Sequence, residues 1–341
     1  MLDPALQPMI MIFTFILGLC IGSFLNVVGL RFLADESVTV PPSHCPQCKV
    51  QIQAFDNIPV LSWLLLGGQC RSCKKPISVQ YPLIELATGI LFCTVVWFFG
   101  MSWQSLLLLF LVANLIVIFI TDLRESLIFQ INSLSLIPVG LIYSGFNLGN
   151  VPGTVTWDLG AMVVHVPEAL ISAVIAMIIS LIFFEGIILL SLIFFGTEGF
   201  GHGDTHLMMG AGAFLGWPLT ILALILGFIA QTIPAVPMLV IQWIRNKQYV
   251  SLISGAVALI GGSAPILLMN AGLPLDTRTT LSLICMGMSV VALFVFMRQV
   301  KSSQNFTYLP LGPALVIGIL ISLFWGNQLI AQYQGYIQAT H

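Results

Sequence analysis

The chain has 341 residues, 58% hydrophobic and only 7% charged, with 11 Lys and Arg against 13 Asp and Glu. A soluble domain carries about 25% charged residues, so a water-facing globule is excluded, and the near-neutral balance excludes a nucleic-acid-binding surface. A mean hydropathy of +1.04 predicts an all-α polytopic membrane protein, because a lipid-facing helix satisfies its own backbone.

Apolar runs of crossing length predict roughly ten transmembrane helices, over 9–30, 83–99, 104–121, 127–146, 168–195, 204–217, 218–243, 252–271, 280–298 and 309–330. The sixth is short, and its separation from the seventh rests on Trp217-Pro218, since proline disfavours helix at the residue before it. The first run has no basic residue ahead of it and Arg31 behind it, so it reads as a retained anchor with its N-terminus outside. On that orientation ten of the eleven basic residues fall on the inner side and Arg278 alone falls outside. That asymmetry supports both the direction and the helix number.

Between the first two helices lies a polar inner segment rich in Pro and Gly, roughly 32–82. It holds Cys45-Pro-Gln-Cys48 and Cys70-Arg-Ser-Cys73, separated by 21 residues. Two such pairs can offer four thiolates to one tetrahedral Zn²⁺, and the alternative of two disulfides suits an oxidising compartment rather than the inner side. A segment of about 50 residues has too little core to fold unaided, so the metal is expected to be structural. Cys20, Cys93 and Cys285 lie in apolar runs and read as packing residues.

Two carboxylates stand at one depth on the inner side: Asp122, at the end of the third run, and Asp204, opening the sixth after Gly199-Phe200-Gly201-His202-Gly203. Carboxylates that share a site cannot both ionise easily. One can then take a proton from water while the other donates to a scissile carbonyl, which gives peptide hydrolysis without a covalent intermediate. For each aspartate alone, a helix cap or a solvated charge is the plainer reading. Glu185 lies inside the fifth run, as a site-tuning group or a neutral hydrogen-bonded one. His202 and His206 invite a metal reading at their four-residue interval, although His202 is expected to precede the helix. Asn26 and Asn114 read as interhelical hydrogen-bonding residues. An ion-coupled transporter using the intramembrane carboxylates is the alternative from another class, but it leaves the four cysteines without a role, and matched broken helices at a midplane are lacking.

The chain resembles the type IV prepilin peptidases, membrane aspartic enzymes of the bacterial inner membrane. The resemblance rests on Gly22-Ser23-Phe24-Leu25-Asn26-Val27-Val28 with Arg31, both cysteine pairs, and the stretch Asp56-Asn57-Ile58-Pro59-Val60-Leu61-Ser62-Trp63-Leu64. It continues in Pro76-Ile77-Ser78, Tyr81-Pro82, Glu85, Thr121-Asp122, Glu198-Gly199-Phe200-Gly201-His202-Gly203-Asp204, Leu207, Gly216-Trp217 and Pro310-Leu311-Gly312-Pro313. It implies that Asp122 and Asp204 are the catalytic pair, removing a basic leader from prepilins and pseudopilins at the cytoplasmic membrane face. It also implies methylation of the new N-terminus with S-adenosyl-L-methionine, and a link between the tetracysteine segment and that second activity. The domains implied are a first helix at 9–30, a zinc domain at 32–82, a catalytic core at 83–243, an inserted hairpin at 244–306, and a last helix and tail at 307–341. Three positions depart from the family pattern. Phe129-Gln130 replaces a Pro-Asp pair, His206 replaces a basic residue, and Gly67-Gly68-Gln69 before Cys70 lacks two positive charges. Lost charges that could hold an anionic group make a peptidase without methyl transfer the other alternative.

Overall fold

The structure, a computed structural model, describes residues 6–40, 42–146, 154–158, 163–196, 201–250, 253–258, 260, 263, 275–302 and 310–340. The helices in chain order are α1 (Gln7–Leu33), α2 (Leu61–Leu65), α3 (Gln80–Phe99), α4 (Trp103–Glu125), α5 (Gln130–Phe146), α6 (Glu168–Phe195), α7 (His202–Leu215), α8 (Trp217–Arg245), α9 (Leu275–Ser302) and α10 (Gly312–Thr340). A single 3₁₀ turn, Ala54–Asn57, precedes α2. The fold is helical as expected, with one small addition. In the connection before α6, β1 (Thr154–Asp158) and β2 (Val163–Pro167) pair antiparallel, Thr154 opposite Pro167. Their β-branched composition suits strands.

Among the described residues six helices are long and apolar enough to cross a membrane: α1, α3, α4, α6, α8 and α10. With the shorter α5 and α7 packed among them, the chain is a multi-pass membrane protein. Most of the run predicted over 252–271 lies outside the described residues, as do Glu198-Gly199-Phe200.

The chain divides into two compact units, Met1–Ala230 with Pro310–His341, and Gln231–Leu309. In the first, α4 is the central helix. Over half of its most apolar window, 56%, is buried, more than in any other span. Leu115, Ile116, Val117 and Ile118 are buried in succession, which is how a helix apolar on all sides behaves at the middle of a bundle. In the second unit, Ser289 Oγ donates to the Ala258 carbonyl at 2.7 Å.

Helix ends differ from the sequence expectation where capping decides them. The fourth helix continues through Asp122 to Glu125 because Ser126, at φ 51°, closes it by donating its N–H to the Asp122 carbonyl at 2.8 Å. Asp122 is therefore inside the last turn. The break after α7 falls at Gly216, whose φ of 74° an L side chain rarely adopts. Trp217 and Pro218 then open α8, the proline occupying a first-turn position where its missing N–H costs nothing.

Small residues let the helices approach. A Cβ on Gly318 of α10 would collide with the Ala223 carbonyl oxygen and with backbone atoms of Gly227 in α8, the close backbone contact common between membrane helices. Gly318→Leu is expected to destabilise the bundle by about 1–3 kcal/mol through overpacking. The control is Gly335→Leu, at a position with open space around it, which should leave the melting temperature in detergent unchanged.

Candidate functional site

The two cysteine pairs fold into matching turns. In the first, Cys45 N–H donates to the Val50 carbonyl and Lys49 N–H returns to the Cys45 carbonyl, both at 2.9 Å; in the second, Cys70 and Lys75, then Lys74 and Cys70, make the same bonds at 2.9 and 3.0 Å. Lys49 and Lys74 both take positive φ, 60° and 58°, which turns each pair inward. All four Sγ atoms come within 4.8 Å of one another, and Cys45 and Cys73 are 3.9 Å apart. The edge of a tetrahedron with metal–sulfur bonds of about 2.3 Å is about 3.8 Å, so the set fits one metal ion. Backbone N–H groups of Cys73 and Ser72 bring the Cys70 thiol down to about 7, which favours a thiolate there, while Cys48, despite the Val50 backbone N–H, is pushed up to about 11 by burial and the neighbouring thiols.

The second turn is tied to the 3₁₀ segment by a two-pronged ion pair. Arg71 Nε and Nη2 donate to the Asp56 carboxylate at 2.8 and 2.7 Å. That guanidinium holds the Asp56 carboxyl below the usual carboxylate range.

Asp122 in α4 and Asp204 in the first turn of α7 are both buried, 5% and 7% exposed. Packing brings them together, since α5 and α10 each pack on both α4 and α7. Gly203 fits because a Cβ there would stand 2.7 Å from the Ile128 side chain. The contact missed by sequence reasoning comes from the far end of the chain. Gly312 opens α10, where the leading N–H groups lack intrahelical acceptors, and its N–H donates to Asp122 Oδ2 at 2.8 Å. The visible signal was Pro310-Leu311-Gly312-Pro313, a helix start that pattern reading could place but not connect.

Neighbouring polar residues are now assigned. The seventh helix begins at His202 with Gly201 as its cap, two residues earlier than expected, so His202 and His206 do share the helix. They do not form a metal site. His202 Nδ1 is 3.0 Å from Glu185 Oε1, the same oxygen that accepts from Thr205 Oγ1 at 3.3 Å. Nδ1 of His206 is buried without a hydrogen-bond partner. Among the described residues the tetracysteine set is the one group able to hold a metal. Glu185 thus pins the turn that carries Asp204. Asn26 Nδ2 bridges to the Tyr81 carbonyl in α3 as expected, but Asn114 Nδ2 donates to Phe110 O at 2.9 Å within its own helix. Cys93 packs against α1, donating to the Met11 carbonyl, whereas Cys20 is exposed.

Comparison with known proteins is decisive. The profile of the bacterial peptidase A24 N-terminal domain matches residues 16–99, and that of the type IV leader peptidase family matches residues 109–236. A prepilin leader peptidase/N-methyltransferase of Stutzerimonas stutzeri is 32% identical over 93% of this chain and 91% of its own. The chain belongs to the type IV leader peptidase family. A relative of the same description from Pseudomonas aeruginosa is 30% identical over 94% of this chain and 92% of its own. One from Myxococcus xanthus is 35% identical over 62% of this chain, spanning 57% of that protein. No solved structure matches. As a leader peptidase the chain is an enzyme, and Asp122, Asp204 and the four clustered cysteines fall inside the matched segments.

Metal analysis of protein purified without chelator is expected to give about one ion per chain, as the four converging thiols imply. Replacing Cys45 and Cys73 together by serine should abolish that content.

Proposed function

We propose that the chain is an aspartic endopeptidase that removes the basic leader from type IV prepilins and pseudopilins at the cytoplasmic membrane face and then methylates the exposed N-terminal amine. The observation that carries the reading is the buried pair Asp122 and Asp204, on helices that share α5 and α10 as neighbours, with a backbone N–H on one of them. Two carboxyls in that relation hold one negative charge between them most easily. A donated N–H suits the ionised partner, so Asp122 is the general base that draws a proton from water. Asp204 supplies its proton to the carbonyl oxygen of the scissile bond. The tetrahedral species collapses as the leaving amine takes a proton, and the pair returns to its starting state.

The substrate class fits the position of the pair. A pilin precursor is held by its own apolar helix, so its cut point lies at the membrane boundary, with the basic leader in the cytoplasm. The positive-inside asymmetry supports a bacterial inner-membrane protein with a periplasmic N-terminus and a cytoplasmic tetracysteine domain. Zn²⁺ is the metal in this reading, bound by Cys45, Cys48, Cys70 and Cys73 as a structural staple for a segment without a core of its own. S-adenosyl-L-methionine would supply an electrophilic methyl group to the new amine, as the description of the relatives indicates.

Asp122→Asn and Asp204→Asn should each abolish leader removal from a purified prepilin while the protein stays inserted, and full cleavage by either removes that residue from the role. Gly312→Ala places a Cβ 2.6 Å from Asp122 Oδ2 and should lower kcat by about tenfold or more, the scale of a lost charge-assisted hydrogen bond. Mass spectrometry of the processed pilin, with and without S-adenosyl-L-methionine, tests the second activity. A product lacking the methyl increment under both conditions overturns it.

A further inference from the structure

The methyl donor needs a place within reach of the amine that cleavage exposes, and one cavity in the first unit lies against α1, a helix that packs on α4. Its volume is about 440 Å³, inside the range of about 300–1,000 Å³ usual for small-molecule sites. One wall is a single face of α1, carrying Ser23, Phe24, Val27 and Arg31; the facing wall includes Asn57 and Pro59. From Ser23 to Arg31 the helix rises about 12 Å, enough for an elongated ligand. The Arg31 end lies beside α4, the helix of Asp122, since Gly29 packs against Ile120, and the Phe32 ring meets Phe129 just before α5 at 5.3 Å.

The facing wall is built in advance. Val60 takes φ 62° and ψ −51°, with Leu61 N–H closing back on the Pro59 carbonyl at 2.6 Å. That is a γ-turn of the rare positive-φ kind, and a β-branched residue adopts it at a cost. It is retained because buried Glu85 accepts the Val60 N–H at 2.7 Å. Ser62 adds to the bracing, receiving Ile58 N–H and donating to the Phe55 carbonyl. Backbone strain held by surrounding bonds is characteristic of ligand sites. At the other end, Arg31 is itself fixed, with Nη1 donating to the Ser37 and Val38 carbonyls at 2.8 and 3.0 Å.

We propose that this cavity binds the methyl donor, an adenosyl sulfonium amino acid, with its carboxylate at Arg31 and its adenosine between the apolar face of Phe24 and Val27 and the Asn57–Pro59 wall. The residues suit the group: a fixed cation for a carboxylate, amide and hydroxyl groups for a ribose and a base, and apolar surface for a purine face. In the transfer, the amine lone pair forms the new N–C bond as the S–C bond breaks. The donor leaves as a neutral thioether, and the surplus amine proton passes to solvent. The assignment rests on the methylation reading above and extends it to a location.

The test is calorimetric titration of the detergent-purified full chain with S-adenosylhomocysteine, which keeps the carboxylate and adenosine but has no methyl to transfer. Arg31→Met and Val27→Trp should each weaken binding at least tenfold without changing elution volume or melting temperature. Val27→Trp fills the cavity and stands in if loss of the Ser37 and Val38 contacts unfolds the arginine variant. Wild-type affinity in either folded variant overturns the proposal, and if the wild type still methylates, the donor site lies elsewhere while the methylation reading stands. Absence of both binding and methylation in the wild type sinks the reading and the proposal together. A tightly held phospholipid that S-adenosylhomocysteine cannot displace, seen by native mass spectrometry, also overturns it.

Discussion

The hydrogen bond from Gly312 to Asp122 is the contact on which the surroundings of that buried carboxyl depend. A carboxyl group inside an apolar bundle has no bulk water to satisfy it, so its partners must come from protein. Here the partner is the first N–H of α10, a group that every helix leaves unpaired. The requirement also accounts for a glycine at that position, because a side chain would occupy the space of the carboxylate. A helix start and a buried acid thus satisfy one another, and the last helix becomes part of the site.

Around that contact the bundle solves two opposed problems. The helices must cross lipid, which favours uniformly apolar surfaces, and must also seat two buried acids. Close glycine contacts allow the first by letting backbones touch, as at Gly227 and Gly318. Several polar residues are placed singly, each with a partner. Glu185 serves the start of α7, Glu85 serves the Val60 turn, and Asn26 serves the Tyr81 carbonyl. The tetracysteine segment is stabilised differently, by two nearly identical turns and an ion pair, because it has little apolar core of its own.

Much of this was legible in the sequence. The membrane runs announce themselves by length and hydropathy, and the cysteine turns by their spacing. The family resemblance pointed to Asp122 and Asp204, which composition alone left level with helix caps. What could not be read was the pairing of helices. In a lipid bundle the buried and outward faces are both apolar, so periodicity carries little information about neighbours. The Gly312 contact spans 190 residues and leaves no local trace. The start of α7 was misplaced by two residues because Gly201 and Gly203 look like loop, although the packing of Gly203 against Ile128 makes it helix. Asn114 was misread for a similar reason: an asparagine in a membrane helix can bond to its own preceding turn as readily as to another helix.

Because α10 completes the Asp122 environment, the order of synthesis matters. At about 5–20 residues per second, the ribosome needs about 10–40 seconds to pass from Asp122 to Gly312. Throughout that interval the half-built bundle holds an acid whose final partner does not yet exist. A nascent or prematurely terminated chain therefore lacks the Gly312 partner of Asp122, and under the proposed role of that carboxyl, proteolytic competence arrives only with complete membrane integration.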